Sequence, residues 1–365
     1  MMEGWKTVRL EDICTKGASN IAQNKIEGNV GDYPLYGASG FLKKIDFYQQ
    51  EEPYIGVVKD GSGVGRVGFY PGKSSLLGTL QYILPKPGYD IRFIGYALKS
   101  LNLASFATGA AIPHIYFRDY GKSEICIPPT LKEQQRVVAE LDLLTSVIEK
   151  KNAQLKTLDD LTQATFDEMF GDPIVNERKW DYRRLDEVST IVGGATPKTQ
   201  IDDYWIGDNY WVTPAELHNN RYQGPTERTI SDEAVRKTNV TLLPVGTVLL
   251  SSRAPIGKVA ITTVPMYCNQ GFKNIVCSEA LNNEYVCQAL LSQTAYLNSL
   301  GTGATFKEIS KKTTEAIQIA VPPIKLQEAF ANKAKHIEKE KAIIVKSLMD
   351  VEDLFASRLD KYFSV

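Results

Sequence analysis

Ile127-Pro128-Pro129-Thr130-Leu131-Lys132-Glu133-Gln134-Gln135-Arg136 introduces a stretch, residues 131–170, that contains neither glycine nor proline. Val321-Pro322-Pro323-Ile324-Lys325-Leu326-Gln327-Glu328 introduces a second such stretch, residues 324–363. In the first, Val137, Leu141, Leu144, Ile148, Leu155 and Leu158 step by three, four or seven, and Phe330, Ile337, Ile344, Leu348, Val351 and Phe355 do the same in the second. This spacing predicts two long helices, each with one apolar stripe of coiled-coil type, interrupted by Lys151 and Lys341. Gly171, followed by Asp172-Pro173, predicts a glycine C-cap for the first. Two single-striped helices in one chain shelter each other, so Leu141, Leu144, Ile148 and Leu155 are expected to face Ile337, Ile344, Leu348 and Val351. Residues 131–170 carry 5 basic and 8 acidic groups and residues 324–365 carry 8 and 7, a balance of −3 against +1.

The double proline is one of several repeated features. Trp5-Lys6-Thr7-Val8-Arg9-Leu10 is echoed by Trp180-Asp181-Tyr182-Arg183-Arg184-Leu185. Gly65-Arg66-Val67 returns as Gly257-Lys258-Val259, Leu101-Asn102 as Leu297-Asn298, and Thr108-Gly109-Ala110 as Thr302-Gly303-Ala304. The order is kept while the offset drifts from 175 to 194, as in a duplication with loop insertions. Because the first helix leads from one copy to the next and the second helix starts beside the second copy, the pair is expected to run antiparallel, with one globular unit at each end.

The length of 365 residues fits two globular units. Within them, residues 54–58, 66–70, 247–250 and 259–262 read as short strands, and residues 92–101 and 283–300 as helices. The expected fold class is α+β: two similar domains, 1–130 and 171–323, and two long antiparallel helices, 131–170 and 324–365. Charge is balanced, 42 basic against 43 acidic side chains, which argues against a polybasic nucleic-acid binder acting by net charge alone. Five cysteines without a C-x-x-C pair read as reduced thiols of a cytoplasmic protein. Charged residues from Lys6 to Asp12 interrupt any leader-like apolar run, and no stretch has the length and apolarity of a membrane span.

Gly63-x-Gly65-x-x-Gly68 matches a dinucleotide fingerprint, but Phe69-Tyr70-Pro71-Gly72 cannot open the helix that a pyrophosphate requires. A glycine-rich hairpin is the better reading. Lys59, Ser62 and Arg66 would then project from its tip, with Ser252, Arg253 and Lys258 as their counterparts in the second copy. Such donors suit phosphates and guanine edges, although a solvated basic turn explains them equally well. Thr108, Gly109, Thr302 and Gly303 belong to small-residue loops in which glycine permits close approach of a partner. In the second unit Tyr204, Trp205, Tyr210, Trp211 and Tyr222 read mostly as core. Arg221 and His218 among them are expected to point outward toward nucleic acid.

Catalytic patterns are missing from the sequence. His114, His218 and His336 lie apart, without zinc-site or triad spacing; Gly121-Lys122-Ser123 lacks the upstream glycine of a phosphate loop, and there is no G-x-S-x-G elbow. Asn239-Val240-Thr241 matches a glycosylation sequon that a cytoplasmic chain would not use. A binding protein is favoured, without metal or cofactor of its own. The alternatives are a self-sufficient DNA methyltransferase or nuclease, or a tandem-domain scaffold.

The helix start Leu131-Lys132-Glu133-Gln134-Gln135-Arg136, the junction Met169-Phe170-Gly171-Asp172-Pro173 with Trp180 and Leu185, and Gly194-Ala195-Thr196-Pro197-Lys198 with Trp211-Val212-Thr213 resemble the specificity subunit of type I restriction-modification systems. The resemblance spans essentially the whole chain; the second helix start departs from it by keeping one glutamine, Gln327. It implies that each globular unit is a target-recognition domain reading half of a bipartite, asymmetric site in double-stranded DNA. It also implies that the helices dock two modification (methyltransferase) subunits, joined by ATP-dependent restriction subunits. The chain itself would be non-catalytic, with S-adenosylmethionine, ATP and magnesium held by its partners.

Overall fold

The computed structural model describes residues 4–109, 112–218, 220–253, 255–303 and 307–365. The chain divides into two compact units, Met1–Asn152 with Lys346–Val365, and Ala153–Val345. Each unit therefore takes a portion of both long helices.

In the first unit the strand Lys6–Arg9 pairs antiparallel with Glu124–Ile127, a one-turn helix Leu10–Ile13 follows, and the chain passes into the strand Cys14–Ala18. That strand edges a four-stranded antiparallel sheet in the order Cys14–Ala18, Leu80–Pro85, Tyr54–Val58, Val67–Tyr70. A three-stranded sheet orders Gly40–Ile45, Tyr33–Gly37 and Ser75–Leu76. The strand Tyr54–Val58 is buried along its whole length. Ile55 and Val57 enter a core with the helix Ile91–Ser100, while Tyr54 and Val58 enter the core of the three-stranded sheet. Period-two geometry thus explains why this strand is apolar at successive positions.

The second unit repeats the plan. The strand Tyr182–Arg184 pairs with Gln318–Ala320, the turn of helix Leu185–Val188 follows, and the strand Ser189–Gly193 edges a five-stranded sheet. Its order is Ser189–Gly193, Lys273–Cys277, Val248–Leu250, Val259–Thr262, Tyr222–Gln223, and a three-stranded sheet orders Thr229–Ile230, Asn209–Val212 and Tyr267–Cys268. Val248 and Leu250 point to one core, Leu249 to another. The helix expected over residues 283–300 is broken into Asn283–Ser292 and Thr294–Ser299. Gln293 leaves the helical region (φ −105°, ψ 16°), and Thr294 Oγ1 donates back to Leu291 O at 2.7 Å, a bond that competes with helix continuation.

Both long helices run over the ranges the spacing predicts, Leu131–Phe170 and Ile324–Phe363. Gly171 closes the first with φ +76°, its N–H reaching Asp167 O at 2.8 Å. In the first unit Val137, Val138 and Leu141, from the early turns of the first helix, share a core with Leu359, Tyr362 and Phe363 from the last turns of the second. Glu140 accepts from Tyr362 Oη at 2.5 Å and pairs with Arg358 at 2.9 Å. In the second unit Phe166 and Phe170 pack on Phe330, and Lys341 pairs with Asp159 at 2.7 Å and Glu338 at 2.9 Å. That polar interruption is therefore matched by carboxylates. Of the predicted stripe, Leu141 and Ile337 are buried, while Leu144, Ile148, Leu155, Ile344, Leu348 and Val351 are half-buried.

Each helix start pins its unit through one buried glutamine. Gln134 Oε1 accepts from the backbone N–H of Asp90, the residue that caps the helix Ile91–Ser100, at 2.8 Å. Gln327 Oε1 accepts from Asn282, the cap of Asn283–Ser292, also at 2.8 Å. The glutamine kept at the second helix start is thus the structural one; Gln135, whose place Glu328 takes, is exposed.

All five cysteines are free. Burial pushes the thiols of Cys14, Cys268 and Cys287 up to about 12, the reverse of an activated nucleophile. No described helix is long and apolar enough to cross a membrane.

Candidate nucleic-acid interface

The glycine-rich segment of the first unit is a hairpin between Tyr54–Val58 and Val67–Tyr70, and Gly61, Gly63 and Gly65 all have positive φ. Its neck is closed by Val58 N–H to Arg66 O at 2.9 Å and Gly65 N–H to Val58 O at 2.8 Å. In the second unit Ser251 N–H reaches Lys258 O at 2.9 Å and Gly257 N–H reaches Ser251 O at 3.0 Å. The same two bonds therefore match Val58 with Ser251, Gly65 with Gly257 and Arg66 with Lys258. A fingerprint for dinucleotides is excluded, since a strand and not a helix follows the last glycine.

Gly65 combines φ +88° with a close approach: a Cβ there would lie 2.7 Å from Ala104 N. Gly61, at φ +86°, faces open space. Gly65→Ala is expected to lower the stability of the first unit by about 1–3 kcal/mol, and Gly61→Ala by less, because only the backbone conformation is penalised there. Thermal unfolding of the two variants side by side checks this.

The small-residue loops are equivalent as well. Thr108 and His114 exchange backbone hydrogen bonds at 2.9 and 2.8 Å, and Thr302 and Glu308 do so at 3.1 and 2.9 Å. Each loop docks on the neck beside it, through Ile115 N–H to Lys59 O in one unit and Ile309 N–H to Ser252 O in the other, both at 2.9 Å. Gly109 and Gly303 sit at φ +97° and +127°, which explains why both copies keep glycine. Ala110 and Ala304 lie outside the described residues.

The hairpin neck and the small-residue loop thus form one surface in each unit. In the first it gathers Lys59, Thr108 and Gly109, with exposed Ser62 and Arg66 on the hairpin; Arg66 Nε donates to Gly63 O at 3.3 Å. In the second it gathers Arg253, half-buried, with exposed Thr302 and Gly303. His218 is exposed and follows Leu217, whose carbonyl accepts from Lys258 Nζ.

Three expected contacts are corrected. Arg221 does not point outward: its guanidinium is buried, with Nε 2.6 Å from Glu284 Oε2, Nη1 donating to Gln288 Oε1 and Nη2 to Glu284 O, each at 2.8 Å. Ser252 is fully buried and its hydroxyl accepts from Lys273 Nζ at 3.2 Å. Lys258 does not project from a tip, because its ammonium is tied to the carbonyls of Pro214 and Leu217 at 3.0 and 2.9 Å. Of the aromatic group expected to be mostly core, Tyr204 and Trp211 are buried while Trp205, Tyr210 and Tyr222 are half-buried, and Trp205 stands edge-on to Trp211 at 4.8 Å.

Three residues of this surface, Asp60, His114 and Glu308, and the buried Lys273 beneath it belong to no sequence motif. In the first unit His114 Nδ1 lies 2.7 Å from Asp60 Oδ1; in the second Glu308 lies 3.1 Å from Lys273 Nζ and 3.9 Å from Arg253 Nη1. The signal for two of them is in the repeat, since His114 and Glu308 both stand six residues after the loop threonine. Among the described residues no cluster of His, Cys, Asp or Glu has the arrangement of a metal site.

A sequence model of the family described as type I restriction modification DNA specificity domain matches residues 2–158 and 177–350. The type I restriction enzyme MjaIX specificity subunit of Methanocaldococcus jannaschii is 35% identical over 165 residues, 44% of this chain and 38% of that relative's length. A putative MjaX specificity subunit from the same organism is 24% identical over 324 residues, 80% of this chain and 74% of its own. The crystal structure of a type I restriction-modification S subunit from M. genitalium superposes with a TM-score of 0.60 at 15% identity, covering 99% of this chain and 96% of that one.

Proposed function

From the premise that this chain belongs to the type I restriction-modification DNA specificity family, we propose that it is the sequence-reading subunit of such a complex. Each unit reads one half of a bipartite, asymmetric target in double-stranded DNA. The observation that carries this is the recurrence, in both units, of one exposed surface made from a hairpin neck and a glycine loop, with donors at its rim.

The long helices set the spacing between the two half-sites and dock two modification subunits, which restriction subunits join. Forty helical residues extend for about 60 Å, more than the 34–36 Å between half-site centres one DNA turn apart. The chain carries no chemistry of its own; S-adenosylmethionine, ATP and magnesium belong to the partners, and the complex works in the cytoplasm.

Charge explains why partners are needed. Residues 1–130 hold 14 basic and 12 acidic groups, and residues 171–323 hold 15 and 16. Balances of +2 and −1 supply little of the phosphate neutralisation that drives affinity for DNA, so the chain alone binds weakly. Exchanging residues 1–130 for those of a relative, then mapping methylated adenines with the modification subunit present, tests the reading. One half-site is expected to change while the other stays. An unchanged methylation pattern contradicts it.

A further inference from the structure

The two reading surfaces are alike in backbone and opposite in charge polarity at one pair of equivalent positions. Backbone hydrogen bonds match Lys59 with Ser252 and Ile115 with Ile309, and therefore Asp60 with Arg253 and His114 with Glu308. Bridges between Asp60 and His114 and between Arg253 and Glu308 mark the same pairing independently. At the neck position the first unit thus has a carboxylate where the second has a guanidinium. At the loop position the first has an imidazole where the second has a carboxylate.

Both pairs reach solvent. Side-chain exposure is 29% for Asp60 and 40% for His114, against 33% for Arg253 and 39% for Glu308. The second pair also has buried support: Lys273, 3.1 Å from Glu308, occupies the sheet position that Gln81 holds in the first unit. With Glu308 held by that ammonium, and Arg253 at the longer distance of 3.9 Å, the guanidinium keeps donors for another partner.

Building on the DNA-reading function proposed above, we infer that these equivalent pairs are specificity determinants that select base edges of opposite hydrogen-bonding character. Asp60, whose Oδ1 is held by His114 and whose Oδ2 lies at the longer distance of 3.7 Å from Lys59 Nζ, keeps acceptor sites for an exocyclic amino group, that of cytosine or adenine. Arg253, backed by Glu308 and Lys273, donates to the paired acceptors of guanine. Carboxylates accept from the cytosine amino group and arginine forks onto guanine O6 and N7 for the same geometric reasons in other groove readers. One scaffold then reads two different half-sites by exchanging donor for acceptor at one place.

The test uses the full chain assembled with its modification subunits and a DNA library randomised across both half-sites, with methylation as the readout. Asp60→Arg combined with His114→Glu transplants the polarity of the second unit into the first. At one position of the first half-site the preferred base is expected to move from an amino-bearing base to guanine, by about 5- to 150-fold in relative methylation. The second half-site should keep its preferences. Should the double variant fail to fold, Asp60→Ala, which removes the acceptor, is expected to relax discrimination at that same position. Unaltered base preference, or a uniform loss across all sequences in a folded variant, overturns the inference and leaves the reading function standing. Failure of the unmodified complex to show any sequence preference would instead refute that function itself.

Discussion

Replacing Arg221 by methionine is expected to cost the second unit about 3–5 kcal/mol, since it strips a buried carboxylate of its counter-charge. Arg221 and Glu284 expose 4% and 1% of their side chains, and the guanidinium is also bonded to Gln288 and to the Glu284 carbonyl. Tyr222 Oη donates to the other Glu284 oxygen at 2.7 Å, so this network ties the edge strand Tyr222–Gln223 to the helix Asn283–Ser292. Gln288 Nε2 in turn donates to Gln163 Oε1, on the first long helix, at 2.8 Å. Methionine keeps much of the volume and removes the charge, leaving Glu284 in the interior without its partner. Pairing it with Glu284→Met should recover much of the loss, because two apolar side chains of similar size can replace a buried ion pair at little cost. Urea unfolding of the three variants measures the cycle. A loss below about 1 kcal/mol for Arg221→Met would class the pair with exposed ion pairs, contrary to its burial.

The second large effect concerns spacing. Inserting four residues into each long helix at facing positions should lengthen the methylated target by about two base pairs, since four residues at 1.5 Å add roughly 6 Å and a base-pair step is 3.4 Å. Four residues make slightly more than one helical turn, so the apolar stripe keeps close to its face. Both half-sites should be read as before. A target of unchanged length would remove the helices from the control of spacing.

Much of the fold was legible in the sequence because its signals were periodic or repeated. The long helices are written in steps of three and four bounded by Pro-Pro and Gly171, and both run over the residues so predicted. The strands at residues 54–58 and 259–262 have the length and β-branched content of buried strands, and they form where expected. Sheet order was not legible, because pairing between strands such as Cys14–Ala18 and Leu80–Pro85 depends on contacts distant along the chain. The break at Gln293 was equally hidden, being set by a local side-chain bond in an otherwise helical run.

The candidate surface was legible only in part. Glycine in a repeated tripeptide pointed to Thr108, Gly109, Thr302 and Gly303, which stand exposed on equivalent loops. Basic residues were less dependable guides. Arg221 and Lys258 look like surface donors in a one-dimensional reading, yet one neutralises a buried glutamate and the other satisfies two carbonyls. Long cationic side chains serve burial and solvent alike, and only the third dimension separates the two uses. Asp60 and Glu308 carry no signal of this kind, because a carboxylate repels phosphate, although carboxylates also accept from base edges.

A map of methylated adenines in a genome carrying this chain with a modification subunit tests most directly whether the two units read DNA separately. The expected map shows one asymmetric target made of two short specified blocks separated by a fixed run of unspecified bases. A single continuous block, or a symmetric target with identical halves, would contradict two readers of opposite polarity.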